Sequence, residues 1–328
     1  MRLTAIPILV ATGLFVCGTR SASAQAPAEE KPGELRVRST GHCEVRVGEK
    51  APLKLGPRES TQLKLAPGPY VVGAESRFAK LKKDYNVEVA SGQPTDLEVD
   101  FSTMAREALA ARGVTLESRA MLDAVAHNQA DLVRLFLDAG LAADQTDGEG
   151  RPLLLVAADR GHREALQALL EANPDLDATD RLGRTAVMWA ALRGHADLVG
   201  DLVAQGADLN HKDKVLKDTA LMLAAAWGHA SVVKVLTATG LAQTRRSGVV
   251  GTIFGKGGLS LDETNRIGWS AVMYAARYGH TDIARALVEA GAKVDRRDEL
   301  QRTAAMLAHS EGHAATAGYL ESLAARTK

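Results

Sequence analysis

The pair Gly-His stands at 161–162, 194–195, 228–229, 279–280 and 312–313, at steps of 33, 34, 51 and 33 residues. A second marker keeps the same beat: Asp147, Asp180, Asp213, Asn265 and Asp298 follow at 33, 33, 52 and 33. Asn128-Gln129 lies 33 residues before the first pair. A unit of this length cannot bury its own apolar face and does so only by stacking on its neighbours, so the expectation is an array of helix pairs. Aromatic residues make up only 4% of the chain. That scarcity suits helices packed through small side chains better than a large enzyme core.

The unit "DRLGRTAVMWAALRGHADLVGDLVAQGADLN" at 180–210 resembles the ankyrin repeat. The same frame recurs in "DGEGRPLLLVAADRGHREALQALLEANPDLD", "DKVLKDTALMLAAAWGHASVVKVLTATG", "NRIGWSAVMYAARYGHTDIARALVEAGAKVD" and "DELQRTAAMLAHSEGHAATAGYLESL", after a degenerate first unit. The resemblance covers 118–328 in about six units. Each conspicuous position has a physical reason. Gly183 supplies positive φ at the tip of the turn opened by Asp180. Thr185 and Thr219 are candidate caps for first helices. Ala190 and Ala191 let neighbouring helices approach, and each Gly-His ends a first helix. Family members usually carry histidine where this chain has Met188, Met222, Met273 and Met306, so these four are expected in the core as adaptable apolar packing.

Ahead of the array the periodicity is two. "ELRVRS", "CEVRVGE", "TQLKLAPG", "YVVGAES", "YNVEVASG" and "TDLEVDF" alternate apolar and polar residues between Gly, Pro and Ser, the pattern of half-buried strands. Residues 34–101 are expected to form a small antiparallel sandwich, and their layout resembles the PEGA-type domain of bacterial envelope proteins. That resemblance implies a binding or spacer module without an active site. Residues 102–117 read as a helical linker or cap. The expected fold class is therefore multidomain: an all-β sandwich followed by an all-α ankyrin solenoid.

Residues 1–24 read as a signal peptide, with Arg2 before an apolar run and "SASA" ending at Ala24; 25–33 is then a linker. Val16 disfavours lipid anchoring at Cys17. The expected location is the periplasm or outside the cell. Beyond the leader Cys43 stands alone, so no internal disulfide can form. His42 beside it reads as an ordinary strand position.

"SGVVGTIFGKGG" at 247–258 has five glycines in twelve residues and poses the question of phosphate binding. A P-loop requires Gly, four residues, then Gly-Lys-Ser/Thr between a strand and a helix. Here Val250 precedes Gly255 by five and Gly257 follows Lys256, so the pattern fails. The long step between the third and fourth Gly-His pairs instead places an insertion at 241–262. It reads first as a surface excursion and second as a partner contact through Arg245, Arg246, Ile253, Phe254 and Lys256. His309 and His313 are four apart, but Gly312 should end the helix between them and no third metal ligand is evident. No nucleophile motif appears. No enzyme, cofactor, metal or small-molecule substrate is expected.

In ankyrin arrays the hairpin tips and the exposed side of the first helix form a concave strip. The matching residues here are Arg181, Leu182, Arg184, Leu192, Arg193, Trp227, Arg266, Ile267, Trp269, Arg277, Tyr278 and Arg302, with Arg151 and Arg160 beside them. Arg, Trp and Tyr dominate binding hot spots, so the expected partner is a protein, acidic and with apolar pockets. Lys plus Arg equal Asp plus Glu at 40 each, which argues against nucleic acid. A second reading makes the chain architectural: the sandwich contacts cell wall or membrane components and the repeats act as a spacer.

Overall fold

The computed structural model describes residues 32–39, 43–56, 59–246 and 258–324. Seven strands come first: β1 (Gly33–Ser39), β2 (Cys43–Val47), β3 (Leu53–Leu55), β4 (Ser60–Leu65), β5 (Gly68–Ser76), β6 (Lys82–Val89) and β7 (Pro94–Val99). Two sheets form, in the orders β4-β1-β7 and β3-β2-β5-β6. Alternation puts Leu35, Val37, Val45, Val47, Val72 and Val99 inside, where they are almost fully buried. The expectation of an antiparallel sandwich needs one correction, because β7 runs parallel to β1, pairing Val37 with Leu97. The chain turns after β6 at Gly92 (φ +69°) and crosses to the other sheet. It therefore reaches β1 travelling in the same direction. Cys43 is buried, and its thiol donates to the Ser39 hydroxyl at 3.2 Å.

Helices follow. α1 (Ser102–Ala111) precedes six pairs: α2 (Ser118–Ala126) with α3 (Ala130–Asp138), α4 (Leu153–Arg160) with α5 (Arg163–Glu171), and α6 (Ala186–Arg193) with α7 (Ala196–Ala204). Then come α8 (Ala220–Ala226) with α9 (Ala230–Arg246), α10 (Ala271–Arg277) with α11 (Thr281–Glu289), and α12 (Ala304–Ser310) with α13 (Ala314–Ala324). First helices pack in one row and second helices in another, with α1 laid against α3 at the head of the second row. Ala190 and Ala191 are fully buried. The Thr185 and Thr219 hydroxyls accept the N–H groups of Met188 and Met222, each at 3.4 Å.

The two repeating markers have separate structural tasks. Each marker Asp or Asn accepts backbone N–H groups across its own hairpin: Asp180 takes that of Arg184, Asn265 that of Trp269 and Asp298 that of Arg302, all at 2.8–2.9 Å. The Gly-His pairs lock neighbouring units together. A Cβ on Gly161 would lie 2.5 Å from the His195 ring, one on Gly194 2.7 Å from His229, and one on Gly279 2.5 Å from His313. The rings also reach back to carbonyls of the preceding first helix, as His229 Nε2 does to Leu192 O at 3.0 Å. Five of the nine histidines thus lie along the stack as spacers.

Met188, Met222 and Met273 are buried as expected, whereas Met306 is 50% exposed. It lies on α12, the last first-row helix among the described residues. At the insertion α9 runs on to Arg246, and the chain returns at Gly258. There Leu259 is buried, and the Asn210 amide clamps Gly258 O and Ser260 N–H, both at 2.9 Å.

The sandwich is latched to the array. Phe78, in the β5–β6 loop, is 4% exposed and belongs to the same apolar cluster as α1 and α3. Asp138, at the end of α3, accepts the Ser76 hydroxyl at 2.7 Å and the Ala79 N–H at 2.9 Å, with a further bond from the Phe78 N–H. Burial raises the Asp138 carboxyl above its ordinary range despite these donors.

Candidate binding face

In each of the five units with a Gly-His pair, the residue just before the glycine is exposed. At two adjacent units these positions hold aromatics. Trp227 is 65% exposed and Tyr278 52% exposed, each just before the glycine of its pair. The Tyr278 ring stacks on Tyr274, with centroids 6.4 Å apart and planes 7° apart, so it is held in place from beneath. Two large rings left in water at equivalent positions of adjacent units mark a surface suited to contact.

The arginines near them mostly serve the fold. Trp189 lies between the guanidinium groups of Arg184 and Arg193, at 5.4 and 5.6 Å from its centroid. Trp269 lies between those of Arg277 and Arg302, each at 5.9 Å. The same four cations face carboxylates: Arg184 meets Asp213 at 3.7 Å, Arg193 meets Asp159 at 2.7 Å, Arg302 meets Asp298 at 2.8 Å, and Arg277 pairs with Glu311. Arg151 pairs with Asp147 at 2.8 Å, and Arg160 donates to Ala126 O at 2.8 Å. The strip is therefore far less positive than its composition suggests.

Trp269 needs a correction. It is 9% exposed, and its indole N–H donates to Asp298 Oδ2 at 3.0 Å, tying its own hairpin to the next. It belongs to the hairpin frame and is not an exposed contact. Leu192 is half-buried and packs against the core.

Open charge and open apolar surface coincide at the hairpin tips instead. Leu182, Val215, Leu216, Ile267 and Leu300 are exposed there. Arg181, Lys214, Lys217 and Arg266 flank them, also exposed, and have no ion-pair partner among the described residues. Backbone bonds join successive tips, from Lys214 N–H to Leu182 O at 2.8 Å and from Arg266 N–H to Leu216 O at 2.7 Å. Val215, Leu216, Lys214 and Leu300 were absent from the sequence expectation. Counting two residues on from each marker Asp or Asn finds Leu182, Val215, Ile267 and Leu300 at once.

The remaining expected contacts scatter. Arg245 and Arg246 lie at the end of α9. Ile253, Phe254, Lys256 and His42 lie outside the described residues, as do 1–24. His309 Nε2 pairs with Glu321 at 2.7 Å, while His313 covers Gly279, so the two rings do not converge. Among the described residues no group of three His, Cys, Asp or Glu is placed to hold a metal ion, and no helix is long and apolar enough to cross a membrane.

The family model described as "Ankyrin repeats (3 copies)" matches residues 121–213 and 242–325, more than half of the chain. The chain belongs to the ankyrin-repeat proteins. A second model, "Ankyrin repeat", matches 217–243. No curated protein matches the chain.

Within this ankyrin array one junction departs from the rest. Arg151, Arg184 and Arg302 occupy the position before the first-helix cap, whereas the equivalent in the fourth unit is Asp218, 5% exposed. Its carboxylate accepts the Asn265 amide at 2.8 Å and the Tyr274 hydroxyl at 3.0 Å, both from the next unit. Burial pushes the Asp218 carboxyl up, partly offset by those donors. Burial and the Asp218 charge push the Tyr274 phenol up in turn, so it remains a donor. Asn265 breaks the run of marker aspartates because a carboxylate there would face Asp218.

Proposed function

We propose that this ankyrin protein is a non-enzymatic, protein-binding component of the cell envelope, exported by its N-terminal segment. It grips its partner on the concave face that the family resemblance implies. The observation that carries this reading is the exposed pair Trp227 and Tyr278, at equivalent positions of adjacent units. Large rings of this kind supply most of the energy at protein interfaces when they enter a partner's pockets. The aliphatic tips extend the contact, and Arg181, Lys214, Lys217 and Arg266 supply its preference for an acidic partner. Arg184, Arg193, Arg277 and Arg302 hold the face in shape.

Affinity capture from native envelope extract tests the reading, using the whole mature chain beside a Trp227→Ala, Tyr278→Ala double variant. The expected result is one protein retained by the wild type and lost by the variant, with thermal unfolding unchanged. Equal retention of that protein by both would remove the aromatic pair from the interface. Deleting the sandwich is a poor control, because it would strip Phe78 and the Asp138 donors from the first unit.

A further inference from the structure

A groove of about 580 Å³ separates the β5–β6 loop of the sandwich from α1, α3 and α5 of the array, within the range of small-molecule sites. Its floor is apolar: Leu81 and Ala108 are half-buried there, above Phe78 and Leu135, which are 4% and 3% exposed. Its walls carry five cations and three carboxylates. Two of the cations are already engaged, Lys54 with Glu44 at 3.7 Å and Arg134 with Glu171 at 3.0 Å. Asp131, the third carboxylate, also faces Arg134, at 3.8 Å. That leaves Arg77, Lys80 and Arg112 without an ion-pair partner among the described residues.

The loop that presents two of them is built to hold still. Ser76 N–H bonds Leu81 O at 2.7 Å, Leu81 N–H bonds the Ser76 hydroxyl at 2.9 Å, and Asp138 pins the turn from below. Asp138 feels the Lys80 charge, but its oxygens are spent on the Ser76, Phe78 and Ala79 donors. Lys80 holds φ +57°, a left-handed conformation that favours glycine.

We propose that this groove binds a small amphipathic carboxylate. The acid is met by Arg77, Lys80 and Arg112, and the apolar body lies on Leu81 and Ala108. Guanidinium and ammonium groups form short, charge-assisted bonds to carboxylates, while the floor offers the apolar surface that such ligands bury. Because both units wall the groove, an occupant bridges the sandwich to the array. This site is separate from the aromatic face.

The test uses the whole mature chain with 4-phenylbutyrate as probe, read by saturation-transfer NMR and calorimetry. Its uncharged amide and phenyl phosphate serve as comparison ligands. Saturable binding of the carboxylate is expected, weakened at least tenfold for the amide and for an Arg77→Glu, Lys80→Glu double variant. Slower backbone hydrogen exchange over 76–81 should accompany it. Arg112→Gln is a milder companion, expected to weaken binding several-fold with an unchanged circular dichroism spectrum. Equal affinity for acid and amide, no effect of Arg112→Gln, or no saturation up to 10-fold above protein concentrations in the millimolar range would overturn the proposal. Preference for the phosphate over the carboxylate would overturn the ligand class.

Discussion

At the residue scale, the junction between the fourth and fifth units is the most exposed to substitution. Asn265→Asp would set a second carboxylate against buried Asp218, and such an uncompensated buried charge costs about 3 kcal/mol. Urea unfolding at pH 7 should show that loss, and it should shrink at acid pH as one of the pair takes a proton. Asp218→Asn makes the opposite case. The folded-state pKa of Asp218 is raised, so its contribution is fully present below the unfolded-state value and is lost as pH rises through the folded one. The variant keeps an acceptor for Asn265 and Tyr274 without the charge. Its stability at neutral pH should therefore equal or exceed the wild type's, with a flatter pH profile through the acid range. Nothing in the sequence announces this pairing: Asp218 and Asn265 are 47 residues apart across the insertion. Trp269 was misplaced for a related reason. An indole two residues from an exposed tip looks open until its partner, the carboxylate of the next hairpin, is seen.

At the scale of elements, the Gly-His step and the hairpin were legible because each depends on local backbone conformation. The glycines at these steps have φ near +80°, and the period marks them without any three-dimensional knowledge. The tightness of the ladder was not legible, since it depends on the ring of the next unit. Gly194 (φ +81°) combines a left-handed backbone with the His229 ring at 2.7 Å, while Gly312 (φ +80°) has nothing within 4 Å. Gly312→Ala should cost about 1 kcal/mol from the backbone alone, and Gly194→Ala roughly twice that or more. Comparing the two midpoints in urea separates conformation from packing. Gln301, φ +62°, stands where Gly183 stands in its own hairpin, so Gln301→Gly should raise stability by about 0.5–1 kcal/mol. The β7 strand was found by its alternation, yet its parallel pairing with β1 was not. Alternation names the buried face of a strand and is silent on which neighbour it joins or in which direction.

At the scale of the whole molecule, two units joined by Phe78 packing and one carboxylate make a testable mechanical claim. Asp138→Ala leaves the Ser76 hydroxyl and two backbone donors without their acceptor, at a cost of about 2–3 kcal/mol. Hydrogen exchange over 76–81 and over α3 should accelerate while the strand cores stay protected. Exchange unchanged across the joint would mean that Phe78 packing alone holds it. The division into a strand-rich unit and a helical array was readable from the change of hydrophobic period near Ser102. The latch was not, because Asp138 sits on a helix surface like any solvated acid until the sandwich covers it. The proposed partner face lies farther along, at the units flanking the insertion, and the groove at the joint is a separate surface.

The measurement that bears most directly on the account is site-specific photo-cross-linking in native envelope extract. One photoreactive residue would replace Trp227 on the first-helix row, and another would replace Asp197, exposed on α7 of the second row. A single cross-linked protein is expected from position 227 and none from 197. The same protein cross-linked with equal yield at both positions, or at 197 alone, would contradict the proposed face.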